Sequence, residues 1–286
     1  MKKLNIVIDV ALCENCNNCF LACKDEFVDN DFPPYSVAQP RHGHRWVNIM
    51  HKERGQFPVI DVAYLPIPCM HCDDAPCMKK IGNGAVYKTN SGAVIIDPAK
   101  AHGRKEILNS CPYGAIWWNE EKNVAQKCTL CLHLLEDGWK EPRCVQSCPT
   151  GAMRLVNAED PEMARIVADE GLEVLHPEYK TKPRVYYTNL HRFLKCFIGG
   201  SVAIRSGALT DCAEGAKVSL FKDKQKIGEV TTDNYGDFKF DNLEENSGRY
   251  NIDISLNGYE KKTVEVDLKT SMNLGTILLN IPKVGI

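Results

Sequence analysis

The chain has 286 residues, with 35 Lys and Arg against 37 Asp and Glu and a formal net charge of −2. Bulk electrostatics therefore favour neither nucleic acid nor an anionic membrane surface as a partner. No apolar run approaches the ~20 residues that a spanning helix needs, so any membrane anchor is expected on another chain, and the length suggests about two domains.

Lys2 and Lys3 followed by Leu4–Leu12 mimic a secretion signal, but Asp9 interrupts the apolar run and processing there would cut into the first cysteine group. Ile6, Ile8 and Val10 alternate with Val7 and Asp9, which predicts a short strand leading into that group. Folding in the cytoplasm is the expectation.

Cysteine then dominates the chain, with 14 residues. Cys13, Cys16, Cys19 and Cys23 read C-x2-C-x2-C-x3-C. After a long insert at 28–68, which offers Trp46 and Phe57 as apolar docking surface, Cys69, Cys72 and Cys77 read C-x2-C-x4-C. Cys111 stands alone before Pro112, and Cys128, Cys131, Cys144 and Cys148 read C-x2-C-x12-C-x3-C-P. Twelve thiols suffice for three [4Fe–4S] clusters, and the first spacing is the bacterial ferredoxin run whose last cysteine serves the other cluster of a pair. Disulfides would need an oxidising compartment. Zinc, which favours paired C-x2-C knuckles, is the competing metal. Cys111-Pro112-Tyr113-Gly114-Ala115 and Cys148-Pro149-Thr150-Gly151-Ala152 repeat one device, in which proline turns the chain and glycine lets the backbone pass close to a cluster. A duplicated ferredoxin core follows.

Residues 152–199 read as a connecting segment, with a helix opening at Pro161 and an extended stretch at Tyr186-Tyr187. Gly199-Gly200 reads as a hinge. Beyond it, alternating stretches at 216–221, 227–230, 238–240, 250–254, 263–268 and 277–279 are separated by Gly, Asn and Asp turns. They predict an antiparallel β-sandwich over 200–286. The fold class is therefore α+β, a ferredoxin-like domain over 1–199 followed by the sandwich. Cys196 and Cys212 have no neighbouring cysteine in sequence and are expected to be reduced, buried thiols.

Cys69-Met70-His71-Cys72-Asp73-Asp74-Ala75-Pro76-Cys77, Lys127-Cys128-Thr129-Leu130-Cys131 and Thr181-Lys182-Pro183-Arg184-Val185-Tyr186-Tyr187 resemble the four-cluster iron–sulfur subunit of the molybdopterin oxidoreductases, the group of dimethyl sulfoxide reductase. The resemblance covers roughly residues 3–190 and implies crosswise ligation, each cysteine group giving its last thiol to the partner cluster. Cys13, Cys16 and Cys19 would then take Cys148; Cys128, Cys131 and Cys144 would take Cys23; and Cys69, Cys72 and Cys77 would take Cys111. The four ligands missing from the family pattern fall at Ile81, Ala101, Arg104 and Ile107, all of which would serve one cluster. One site has vanished whole and three remain.

Three clusters with a β-domain resemble the transhydroxylase branch of that family. The tail is more loosely similar to transthyretin-like or Cna-B sandwiches, through Gly215-Ala216-Lys217-Val218 and Thr231–Phe238. The resemblance implies a large catalytic partner holding a molybdenum bis-pterin guanine dinucleotide, in a heterodimer or larger complex that moves hydroxyl groups between polyhydroxybenzenes. Two other outcomes stay open. The chain could serve another molybdopterin reductase (for dimethyl sulfoxide, polysulfide or nitrate), or it could be an iron–sulfur scaffold whose sandwich is a binding module.

No catalytic residues are expected in this chain itself. Its eight histidines are scattered, and neither a P-loop nor a dinucleotide fingerprint is present. Lys24, Lys79, Lys80 and Lys127 flank ligands and are candidates for tuning a cluster's potential.

Overall fold

The computed structural model describes residues 1–57, 59–82, 84–206 and 209–282. The chain forms two compact units, Met1–His51 with Tyr64–Leu190, and Lys52–Ala63 with His191–Ile286.

The first unit is organised around β1 (Lys3–Asp9) and the helix α1 (Asn18–Phe27). Next come a hairpin of β2 (Val47–Gln56) and β3 (Val59–Pro68), whose tip belongs to the second unit, then α2 (Pro76–Lys80). Short ribbons β4 (Val86–Lys88) with β5 (Val94–Ile96), and β6 (Trp117–Asn119) with β7 (Val124–Gln126), follow. The cysteine region closes with α3 (Leu132–Glu136) and α4 (Arg143–Gln146). Next are β8 (Met153–Ala158), α5 (Asp160–Glu170) and β9 (Val185–Thr188).

The strand expected at the N-terminus is the centre of a sheet. β1 pairs antiparallel with β8 and parallel with β9, so Ile6 faces Leu155 on one side and Val185 on the other. Leu4–Ile8 are all buried, consistent with a strand covered on both faces. The Asn5 amide, within that run, donates to the carbonyls of Lys3 and Val156 at 2.9 and 3.2 Å. The helix expected at Pro161 is α5. Proline sits in its first turn, Gly171 ends it in the left-handed conformation, and Met163 packs against Val7 and Ala158.

Residues 152–190 are therefore not a connector. They supply both neighbours of β1 and the helix over it, and the division falls after Leu190 rather than at residue 199. The reason is local. Gly199 and Gly200 break the sequence alternation, yet both lie inside β10 (Cys196–Ser206). A Cβ on Gly200 would stand 3.0 Å from the Phe238 ring, so this glycine permits close packing and is no hinge.

In the second unit α6 (His191–Leu194) precedes β10. Then come β11 (Leu209–Cys212), β12 (Lys217–Lys222), β13 (Gln225–Thr231), β14 (Asp237–Leu243), β15 (Gly248–Ser255), β16 (Lys262–Leu268) and β17 (Met272–Leu279). One sheet has β10 between β14 and β17, with β11 pairing its far end; the other runs β13-β12-β15-β16. The expected sandwich is present but is not wholly antiparallel, because β17 runs parallel to β10 with Val202 opposite Ile277. Ile198, Val218, Leu220, Phe240, Ile252, Ile254 and Leu268 form its core. The last four residues of the expected 200–286 domain lie outside the described residues.

Two further expectations change. Trp46 is buried, its ring 4.7 Å from that of Phe27, and of the two aromatics expected to form docking surface only Phe57 is exposed. Cys196 is buried as expected, whereas Cys212 lies exposed at the end of β11.

Candidate metal centres

Helix geometry delivers the thiols in pairs. Cys19 and Cys23 are four residues apart on α1, so they lie on one face a turn from each other. Cys144 on α4 and Cys148 just beyond it repeat that interval, and α1 packs on α4. Cys77 on α2 and Cys111, after a 3₁₀ turn at Lys105–Ser110, occupy equivalent places in a second packed pair.

The twelve grouped thiols gather into three groups of four. Around Cys19 are Cys13, Cys16 and Cys148. Around Cys144 are Cys131, Cys128 and Cys23, with Cys19 of the first group the weakest neighbour. Around Cys72 are Cys69, Cys111 and Cys77. Each group joins residues from distant stretches of chain. Cys16 is exposed and Cys13 and Cys148 are half-buried, whereas the Cys144 group is wholly buried. Phe27, Trp46, Ala115, Trp117 and Leu134 form an apolar shell around Cys23, Cys69, Cys128 and Cys131.

Backbone conformation turns donors toward these sulfurs. The residue before the second cysteine of each group is left-handed: Asn15 (φ 55°), His71 (φ 44°) and Leu130 (φ 58°). Leu130 N–H reaches the Cys128 sulfur at 3.4 Å, and the Asn15 amide bonds Cys13. Gly114 and Gly151 are left-handed too, and each donates to the carbonyl of the cysteine three residues back, at 3.2 and 3.3 Å. The repeated Cys-Pro-x-Gly device is thus one turn used twice.

Burial pushes Cys19, Cys77 and Cys128 up to about 11 and Cys72 and Cys131 up to about 12, with neighbouring sulfurs adding to the effect. Such thiols stay protonated at neutral pH until a cation binds them as thiolates. Among the described residues, no three His, Cys, Asp or Glu side chains converge on a single-ion site. Four soft thiols around a shared space, one for each iron, fit a [4Fe–4S] cube instead. Buried polar atoms without a protein partner in this region, Trp46 Nε1, Trp117 Nε1, Thr129 Oγ1 and His71 Nε2, fit a sulfide-bearing group as well.

Of the four flanking lysines, Lys79 and Lys80 are exposed, and Lys24 donates to the Pro40 carbonyl at 2.7 Å. Lys127 is different. It is buried, bonded to the carbonyls of Val94 and Cys128 (3.1 Å for the latter), and lies against the sulfurs of Cys69, Cys77 and Cys128. Burial opposes its charge, but those sulfurs outweigh burial and hold the ammonium above its ordinary value.

Several supporting residues carry no mark in the cysteine spacing. Gln39 Nε2 lies 3.8 Å from the Cys23 sulfur, and Thr150 Oγ1 lies 3.7 Å from that of Cys148. Thr181 bonds Cys72 and, at 2.8 Å, the Tyr113 hydroxyl. Arg184, buried, holds Asp73 through two bonds of 2.8 and 2.6 Å and reaches Asn5 at 3.2 Å, tying the second cysteine loop to β1. Asp73, Thr181 and Arg184 belong to the quoted motifs, so their presence there was the available signal. Nothing comparable marks Gln39.

At the four positions lacking a family ligand, Ile81, Ala101 and Ile107 are buried side chains. Arg104 instead is partly exposed and pairs with Glu106 at 2.6 Å, so the three buried side chains at these positions are all apolar.

A family model described as a 4Fe-4S dicluster domain matches residues 60–158, and a carboxypeptidase regulatory-like domain matches 198–278. The chain is 47% identical to the pyrogallol hydroxytransferase small subunit of Pelobacter acidigallici, over 98% of this chain and all of that one. It is 31% identical to a sulfite dehydrogenase subunit of Allochromatium vinosum, covering 65% of this chain and 83% of that one. It is 28% identical to the arsenate respiratory reductase iron–sulfur subunit of Shewanella sp. strain ANA-3, covering 65% and 95%. A dicluster domain followed by a β-sandwich, with these relatives, makes the chain a member of the iron–sulfur electron-transfer subunits of the molybdopterin oxidoreductases.

Proposed function

We propose that this chain carries three [4Fe–4S] clusters for a cytoplasmic molybdenum enzyme that transfers hydroxyl groups between polyhydroxybenzenes, with pyrogallol as a substrate. The observation that carries the cluster number is the gathering of twelve thiols into three complete groups of four. The proposed ligand sets are Cys13, Cys16, Cys19 and Cys148; Cys128, Cys131, Cys144 and Cys23; and Cys69, Cys72, Cys77 and Cys111. Near-full-length similarity to a pyrogallol hydroxytransferase small subunit supports the substrate class.

Bound clusters would supply one-electron chemistry. The chain's own residues hold them, exclude water around the two inner groups and present donors to sulfur. The Cys13 group, with Cys16 exposed and flanked by the exposed side chains of Leu12 and Leu21, is where the chain meets its redox partner. That partner is the large subunit bearing a molybdenum bis-pterin guanine dinucleotide. Hydroxyl transfer between polyhydroxybenzenes involves no net oxidation, so the chain serves activation or redox poise. The sandwich, which resembles transthyretin-like and Cna-B modules in sequence, acts in assembly. A binding module would show aromatics in its loops; of the loop aromatics Tyr235 and Tyr259, Tyr235 is exposed while Tyr259 packs on the core.

Anaerobic purification of the native complex with metal and sulfide analysis tests this. About twelve iron and twelve sulfide per chain are expected, with molybdenum and pterin in the co-purifying subunit and activity on pyrogallol. About sixteen iron, or stoichiometric zinc, sinks the cluster reading; a complex inactive on polyhydroxybenzenes but active on a sulfur oxide sinks the substrate.

A further inference from the structure

Lys127 and His71 form a buried pair joined through one residue. The Lys127 ammonium bonds the carbonyl of Val94, and the N–H of Val94 donates to His71 Nδ1 at 3.0 Å. Both polar groups of the Val94 backbone are thereby used, and β5 locks the two side chains in register. Since Nδ1 accepts, the proton of the neutral ring sits on Nε2, which is buried and meets no protein acceptor. His71 lies within the Cys69–Cys72 loop in a left-handed conformation, which a non-glycine residue adopts at a cost. The ammonium, meanwhile, reaches the Cys69 sulfur, and the Cys69 amide in turn reaches the Cys128 sulfur. Lys127 thus stands at the seam between two thiol groups.

We propose that Lys127 and His71, coupled through Val94, set the reduction potential of the cluster held by Cys69, Cys72, Cys77 and Cys111. Reduction adds a negative charge to a buried group. A cation against its ligands and a buried N–H without a protein acceptor in the same ligand loop both stabilise the reduced form, and low dielectric amplifies both. Lys127 also touches Cys128, so the cluster held by Cys128, Cys131, Cys144 and Cys23 feels the same charge through one sulfur rather than two. No sulfur of the Cys13 group is among the strongest neighbours of this ammonium, so that group is the internal reference. This inference rests on the iron–sulfur reading of the same thiols.

The test is an EPR-monitored redox titration of the anaerobically purified complex carrying Lys127→Met, Lys127→Arg or His71→Phe, with iron counted in each. Signals are assigned with Cys111→Ser and Cys148→Ser variants. Lys127→Met should shift the one-electron reduction equilibrium of the Cys69 group at least tenfold toward the oxidised form, ~59 mV. It should shift the Cys128 group less and leave the Cys13 group in place. His71→Phe should lower only the Cys69 group, and Lys127→Arg, which keeps the charge, should stay within threefold of the wild type. Iron intact with unmoved midpoints in both Lys127→Met and His71→Phe overturns the proposal alone. Should Lys127→Met fail to hold iron, an unmoved midpoint in His71→Phe decides against it. Zinc in the wild type overturns the iron–sulfur reading and this proposal with it.

Discussion

Cys19 and Cys23 stand one turn apart on the same face of α1, yet they look into different thiol groups. Cys19 meets Cys13, Cys16 and Cys148, while Cys23 meets Cys131 and Cys128. One helix turn therefore separates the thiols that α1 gives to the two groups, and the helix fixes their relative placement. The same interval in Cys144 and Cys148 makes the arrangement reciprocal.

Crosswise sharing predicts damage at a distance in sequence. Cys148→Ser should perturb the centre held by Cys13, Cys16 and Cys19, and Cys23→Ser that held by Cys128, Cys131 and Cys144. Each should cost up to about four iron per chain. EPR spectra and iron analysis of the two variants check this. Damage confined to each cysteine's own sequence neighbours would show that the groups are not shared.

The two thiols outside the groups should behave oppositely. Cys212 is exposed and Cys196 is buried at 2% exposure in the sandwich core. Anaerobic labelling of the native chain with a maleimide should modify Cys212 and spare Cys196 until the sandwich unfolds. Cys212→Ser should change neither stability nor iron content, since its side chain is exposed and far in sequence from every grouped thiol. Mass spectrometry of labelled peptides reads both; equal labelling of the two would contradict the strand assignment around β10.

How much of this was legible before the fold varied with the kind of signal. Ligand spacing is local, because one loop must wrap several irons, so the cysteine groups were readable. β1 and α5 carried clean periodicity and were readable too. β10 was not, since Gly199 and Gly200 sit where the Phe238 side chain crowds the backbone and leave no alternation behind. A single aromatic such as Trp46 carries no burial information in sequence, and only packing on Phe27 decides it. Lys127 differs from Lys79 and Lys80 only in what surrounds it, which is a tertiary fact.

A charge knot within the second unit yields a stability prediction with a defined pH window. Arg54, fully buried, bonds Asp61 at 2.5 Å and Asp241 at 3.0 and 3.1 Å, and Lys239 Nζ lies 3.0 Å from Asp61. Burial alone would raise both carboxyls, but Arg54 and Lys239 hold them below the ordinary range. Their folded values are depressed, so their contribution is complete above the unfolded value of ~3.9 and is lost as pH falls below it. Hydrogen exchange at β10 and β14, corrected for intrinsic rates, should stay level from pH 7 to 5 and weaken toward pH 3. Arg54→Met at pH 7 leaves Asp61 to Arg192 and Lys239 and Asp241 to Lys239 alone, and should cost about 2 kcal/mol through the lost charged hydrogen bonds. Unchanged protection in that variant would mean that apolar packing, not the knot, holds residues 52–63 in this unit.

The last prediction concerns docking of the catalytic partner. The surface first expected to provide it included Trp46, which is buried, so the candidate surface moves to the Cys13 group. There Leu12 and Leu21, which bracket the first cysteine loop in sequence, are 47% and 57% exposed, and Cys16 is the one exposed grouped thiol. Exposed leucines beside a redox centre cost solubility unless another surface covers them. Covering them also brings a partner's own centre close enough for electron exchange. Leu21→Glu should therefore weaken assembly at least tenfold in Kd, about 1.4 kcal/mol, because burying an unpaired carboxylate in an apolar contact is unfavourable. Leu21 is two residues from Cys19 and from Cys23 but its side chain is exposed, so iron content and the EPR spectrum of the variant chain should match the wild type. Titration of the large subunit onto the wild-type and variant chains measures the difference. Equal affinity with all iron retained would place the docking surface elsewhere on the chain.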